Sequence, residues 1–390
     1  MSRIAVLALG AALLLPGAAI AQHIDLPASR QDLERAAKKD SNDAAAHYNL
    51  ALAYWNEKRW DDAERELHTA VTIEPQFAEA YLALSYVPYA RRSDLFDEVS
   101  EDKVPAEWQD SVAQSDRDYR HAFLLDPLCD LKIAGAVLPT RQMFLGGDYE
   151  WLGDFISGLG LLRQGKYEEA YQRFERVTYA FNWDHHPERT PTELRWYRGL
   201  AAAHAGHYEA AERDFTALLD TAAAKEQSGS LIHIPLETND YRYMLATIEQ
   251  RKGDADSAIA LYQTALEHDL GLYMAHVQIA RLDQAARRSA EALTEYHRAV
   301  DANPGDASLL FDLGLAEAET GKLQEALTPL EQAAQLDPRD SRIPYYIGRV
   351  DEARHDTEGA RAAYQRFLGL APSRYARQIA DAKQRLARLP

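Results

Sequence analysis

The densest group of residues able to do chemistry is Asp184-His185-His186 with Glu188. Two imidazoles beside two carboxylates offer ligands for a divalent cation. Adjacent histidines in a linker more commonly only face solvent, and the other histidines form no consistent i, i+4 pair. Cys129 is the only cysteine, so no internal disulfide can form. Its neighbours in LCDLKIAGAVL suit a small buried hydrophobe, although in an oxidising compartment it could pair with another chain. No phosphate-binding glycine loop, zinc-protease helix or paired-cysteine spacing occurs, and Gly146-Gly147 is too short to cradle a phosphate. The expectation is therefore no catalytic residue, no metal, no cofactor and no enzyme activity.

Charge and length narrow the field further. The chain has 390 residues, 46% hydrophobic and 27% charged, which is ordinary for a folded protein. A net charge of −18 argues against nucleic acid and against docking on anionic lipid. Arg3, the apolar run 4–15 and the small-residue site Ala19-Ile20-Ala21 read as a secretory signal over 1–21. The run is too short to span a bilayer and is interrupted by Pro16. No later stretch reaches membrane length. The expectation is an exported, soluble, periplasmic protein with no stable membrane insertion, beginning at Gln22 after cleavage.

What positions these residues is a period of 34. Ala292, Ala326 and Ala360 form one series, Tyr296, Leu330 and Tyr364 another, and Pro304, Pro338 and Pro372 a third. A fixed period of this length marks a helix-turn-helix solenoid. Within 307–340, Leu310, Leu313 and Gly314 share one helical face, and Ala326, Leu330 and Ala333 share another. Small Gly314 and Ala326 let two helices approach closely. Gly321 suits the left-handed turn between them, and Pro338 prevents continuation of the second. Pro329 inside that helix predicts a mild kink.

These marks resemble the tetratricopeptide repeat family. The resemblance implies an all-α solenoid of about eight repeats wound as a right-handed superhelix, with insertions. A leader helix is expected within 22–43. Repeats 1 and 2 then fill 44–127, the second split by an acidic insertion over 91–107. An irregular apolar segment occupies 128–150, and repeats 3 and 4 follow over 151–225, with Trp196 one place off the family's aromatic position. A loop covers 226–238 and repeats 5 to 8 cover 239–374. A basic amphipathic helix over 375–390 caps the array; its arginines could instead dock on an acidic partner.

The resemblance also implies a ligand-contacting groove at fixed positions of each first helix. Carried onto this sequence, those positions include Tyr48, Trp55, Leu82, Tyr86, Tyr89, Phe155, Leu159, Leu162, Trp196 and Tyr243 in the N-terminal half. In the C-terminal half they include Arg281, Phe311, Leu315, Tyr345 and Arg349. Aromatic anchors with a few arginines are what protein and peptide interfaces concentrate, and aromatic density favours the N-terminal half. The polar clamp with which some arrays hold a C-terminal carboxylate is absent, because the matching places hold Tyr48, Leu52 and Ala83, or Val277, Arg281 and Asp312. The leading functional reading is an exported scaffold for protein or peptide partners in an envelope assembly, secretion or polysaccharide-export system. The alternative is a module that binds a glycan or small molecule with the same aromatic row.

Overall fold

Two positions sixteen residues apart set the geometry of each helix pair. A small residue on the first helix faces a large one on the second: Gly158 and Phe174, Gly199 and Phe215, Gly314 and Leu330, Gly348 and Tyr364. A Cβ on Gly314 would lie 2.6 Å from Leu330 Cγ, and one on Gly158 2.5 Å from Phe174. Neither fits without displacing a core side chain. Ala51 and Leu67, Ala246 and Tyr262, and Ala280 and Tyr296 occupy the same two positions, all buried.

The turn between paired helices also repeats. Its left-handed residue is Gly165, Gly206, Gly253 or Gly321 in four pairs, with φ between 69° and 90°. In three others Lys58, Arg287 and His355 take the same conformation, at a steric cost that glycine avoids.

A computed structural model describes residues 29–91, 106–129, 152–228, 238–269 and 271–389. The expected signal segment, the insertion between residues 92 and 105 and the apolar segment from 130 lie outside the described residues. Every regular element among the described residues is helical, and the fold is an all-α helix-turn-helix solenoid of eight helix pairs. The chain divides into two compact units, Met1–Ala80 with His276–Pro390, and Tyr81–Ala275.

In the first unit, α1 (Arg30–Lys39) precedes the pair α2 (Ala44–Asn56) and α3 (Trp60–Ile73). Ser29 caps α1 by accepting from Asp32 N at 3.3 Å, and Asp43 caps α2 by accepting from Ala45 N at 3.1 Å. The same unit holds α12 (Met274–Ala285) from His276 onward, α13 (Ser289–Ala302), α14 (Ala307–Glu319), α15 (Leu323–Leu336), α16 (Arg342–Ala353), α17 (Thr357–Leu370) and α18 (Ala376–Arg388). Helix α15 runs unbroken through buried Pro329. Pro344 sits in the first turn of α16, where its missing N–H costs nothing.

Within this unit the two chain segments meet through charged groups. Arg374 donates to Asp43 Oδ1 and to Glu74 Oε2, each at 2.7 Å. Ser373 N donates to Asp40 Oδ2 at 2.7 Å, and Arg339 reaches Asn42 Oδ1 at 3.3 Å. Helix α18 packs against Tyr345, Tyr364 and Phe367 through Ile379, Ala382 and Leu386. Two of its region's basic residues are engaged internally, Arg374 as described and Arg385 with Asp381 and Glu352. These contacts take two cations away from the expected acidic-partner surface.

The second unit contains α4 (Ala78–Arg91) from Tyr81 onward, α5 (Ala106–Leu125), α6 (Leu152–Arg163), α7 (Tyr167–Ala180), α8 (Thr192–Ala205), α9 (Tyr208–Ser228), α10 (Thr238–Lys252) and α11 (Ala255–His268). Helix α9 extends three residues into the stretch read from sequence as loop. Helix α5 is held on α10 by both ring and charge. Phe123 lies 5.7 Å from Tyr243, whose hydroxyl donates to Leu124 O at 2.7 Å. Arg120 bridges Asp240 at 2.6 Å and Asp269 at 2.8 Å, and Arg251 reaches Asp126 at 3.3 Å.

Candidate partner-binding face

The fifteen groove positions expected from sequence do not share one environment. Tyr48, Trp55, Leu82, Phe155, Tyr243, Phe311 and Tyr345 are each under 9% exposed, as are Leu159, Leu162 and Leu315. These side chains pack in the core of the described residues. Tyr48 packs on Phe77 at 4.8 Å, Trp55 edge-on to Trp60 at 5.2 Å, and Phe155 against Phe174 at 5.7 Å. Phe311 lies between Tyr346 and the Arg342 guanidinium. Tyr345 packs on Phe367 at 5.0 Å and donates to Asp381 at 2.7 Å. Burial, and then the Asp381 carboxylate, push the Tyr345 phenol up to about 12.

The polar groove positions are also largely engaged. Tyr262 donates to Gln250 Oε1, Tyr296 to Gln284 Oε1 and Tyr364 to Glu352 Oε2, each at 2.8 Å and twelve residues apart. Where the second-helix residue lacks a hydroxyl, the twelfth position is apolar. Trp55 stands with Leu67, Leu162 with Phe174, Ala203 with Phe215 and Ala318 with Leu330. The polar side chain therefore follows from satisfying a core hydroxyl.

Five of the fifteen remain at or near the surface. Tyr86 is 36% exposed, and Tyr89 and Trp196 are half-buried. Trp196 stands edge-on to Phe215 at 5.7 Å and to Tyr241 at 6.3 Å, so one ring edge is fixed by the core. Burial raises the Tyr119 phenol far above its ordinary value, followed by Tyr86 and Cys129, and burial raises Tyr241 likewise. This part of the second unit is thus rich in buried rings, with Tyr86 exposed and Trp196 half-buried. In the first unit, Arg281 is exposed and pairs with Asp312 at 3.2 Å, while Arg349 is half-buried. Nearby, Gln284 donates to Glu319 at 2.8 Å, and burial raises the Glu319 carboxyl.

The His185-His186 cluster is open, with His185 3.7 Å from Asp184 and His186 3.5 Å from Glu188. No group of three potential ligands able to hold a metal occurs among the described residues. No described helix is long and apolar enough to cross a membrane. Sequence reasoning did not find Arg120 or the role of Arg374, since nothing in a 34-residue period marks partners more than a hundred residues away.

Tetratricopeptide repeat family models match 25–85, 157–228 and 277–341, together about half of the chain. The chain belongs to the tetratricopeptide repeat family. Cellulose synthase 1 operon protein C of Komagataeibacter xylinus is 29% identical over 141 residues, 36% of this chain. The match spans only 10% of that relative's length. The C-terminal part of a TPR repeat-containing protein from Cytophaga hutchinsonii has 18% identity and a TM-score of 0.46, covering 60% of this chain and 86% of its own. A tetratricopeptide repeat protein from Parabacteroides merdae has 13% identity and a TM-score of 0.40, covering 78% and 98%. As a tetratricopeptide repeat protein, the chain is a scaffold of the kind that engages other proteins.

Proposed function

We propose that this chain is an exported scaffold that holds a protein or peptide partner within a bacterial envelope assembly, secretion or polysaccharide-export system. The observation that carries the reading is the aromatic surface of the second unit, where Tyr86 and Trp196 stay accessible above buried rings. Rings fixed at one edge and open at the other make good anchors, because little side-chain freedom is lost on binding. Arg3, the apolar run and Ala19-Ile20-Ala21 support export to the periplasm. The likeness to a protein named for a cellulose synthase operon supports the polysaccharide arm, and it keeps glycan binding by the same rings as the second reading.

A pull-down from periplasmic extract, read by mass spectrometry, identifies the partner. Calorimetric titration then compares Trp196→Ala and Tyr86→Ala with Arg281→Ala and Arg349→Ala. Loss of an aromatic anchor is expected to weaken binding by roughly thirtyfold. Should the arginine variants lose binding while both aromatic variants keep it and stay folded, the site is misplaced. Saturable binding of an oligosaccharide by the same rings, with no protein captured, moves the assignment to the glycan reading. N-terminal sequencing of mature protein checks export, with Gln22 expected first.

A further inference from the structure

The two chain segments of the first unit are joined covalently only through residues 81–275, which make up the second unit. What joins them in space includes the cluster around Arg374. Its guanidinium is shared between Asp43, the cap of α2, and Glu74, which follows α3. The preceding backbone N–H donates to Asp40, and Arg339 reaches the 41–42 turn. The cleft there is lined by polar Glu74, Arg342 and Arg374 and also by apolar Ile73, Leu370 and Pro372. Arg374 and its two carboxylates keep between 11% and 24% of their side-chain surface, so the bridge is partly buried and is screened less than an exposed pair. Arg374 Nε is buried with no hydrogen-bond partner, which subtracts from what the bridge contributes.

The segments on either side carry their own apolar cores. Ala63, Leu67 and Ala70 of α3 are fully buried. On the other side, Leu310, Ala326, Leu330 and Ile343 form one cluster, and Tyr345, Tyr364, Phe367 and Ala382 another. An ionic contact between two separately cored segments weakens under screening long before the cores do. We propose that this seam is an ionic latch, released by high salt or by loss of Arg374, through which the α1–α3 segment detaches while its helices remain folded.

The test places spin labels at His68→Cys and Gln365→Cys in the full-length chain carrying Cys129→Ser, and measures their distance by pulsed electron resonance. At low salt a single short distance is expected. At about 1 M salt, where the Debye length is about 3 Å, the distribution should lengthen and broaden with helicity by circular dichroism unchanged. Arg374→Ala should give the open distribution already at low salt, and Arg374→Lys an intermediate one. Arg374→Asp combined with Asp43→Arg and Glu74→Arg should restore the short distance. A distance that moves neither with salt nor with Arg374→Ala, at unchanged helicity, overturns the latch. If Arg374→Ala unfolds, the salt series on the parent chain decides alone.

Discussion

Both units bring a segment early in their sequence against one much later, but by different chemistry. In the second unit, α5 meets α10 through the Phe123 and Tyr243 rings, a buried hydroxyl bond and the Arg120 bridge. In the first, the meeting of the 40–43 turn with residues 339–375 shows one guanidinium between two carboxylates and a few backbone bonds. Ring burial is insensitive to salt and scales with apolar area. An ion pair depends on charge and, so far as water reaches it, on screening. The two closures should therefore fail under different stresses, the second under loss of packing and the first under loss of charge.

The largest effect is expected from Tyr243→Ala. It removes a fully buried ring, and should cost about 3–5 kcal/mol, seen in urea unfolding and as lost hydrogen-exchange protection across α5. Tyr243→Phe should cost only about 1 kcal/mol, the share of the bond to Leu124 O. Unchanged exchange in α5 after Tyr243→Ala would erase the contrast between the seams. Arg120→Ala strands two carboxylates, of which Asp240 is nearly buried. A loss of about 1–2 kcal/mol is expected, between the exposed and buried limits. Arg374→Ala strands Asp43 and the nearly buried Glu74, and should cost about 1–2 kcal/mol at low salt and less at high salt. A salt-independent loss there would make the two seams alike.

The smallest expected effect is pH-dependent and lies in the first unit. Burial raises the Glu319 carboxyl, partly offset by the Gln284 hydrogen bond. The folded chain therefore holds that proton more tightly than the unfolded chain. Stability contributed by the protonated form is present below the unfolded carboxylate range and is lost as pH rises through the folded value. Glu319→Gln keeps an acceptor for Gln284 but cannot ionise. It should bring a small gain in urea midpoint at neutral pH that disappears in acid. A gain equal at both pH values would show that the cause is not ionisation.

The repeat itself was legible because its determinants are local. Gly314, Leu330 and Gly321 fall within one helix pair, and the structure gives each the contact or turn that its spacing implies. The groove was legible only as positions. Tyr243 and Trp196 both satisfy the pattern, yet Tyr243 is buried beneath α5 while Trp196 is only half-buried. The difference depends on a helix more than a hundred residues distant, which no local period encodes. Gln250 and Gln284 are likewise fixed by the core, since Tyr262 and Tyr296 donate to them. That pairing was available in the sequence, since each glutamine precedes its tyrosine by twelve residues.

The seam at Arg374 also sets an order of events during synthesis. Glu74 and Arg374 are 300 residues apart. At about 5–20 residues per second, roughly 15–60 s pass between their appearances from the ribosome. Throughout that interval α1 to α3 exist without the turn that later neutralises Asp43 and Glu74. A contact of such sequence separation is made late and after a large loss of chain entropy. The opening repeat must therefore stand without that contact until Arg374 has been made.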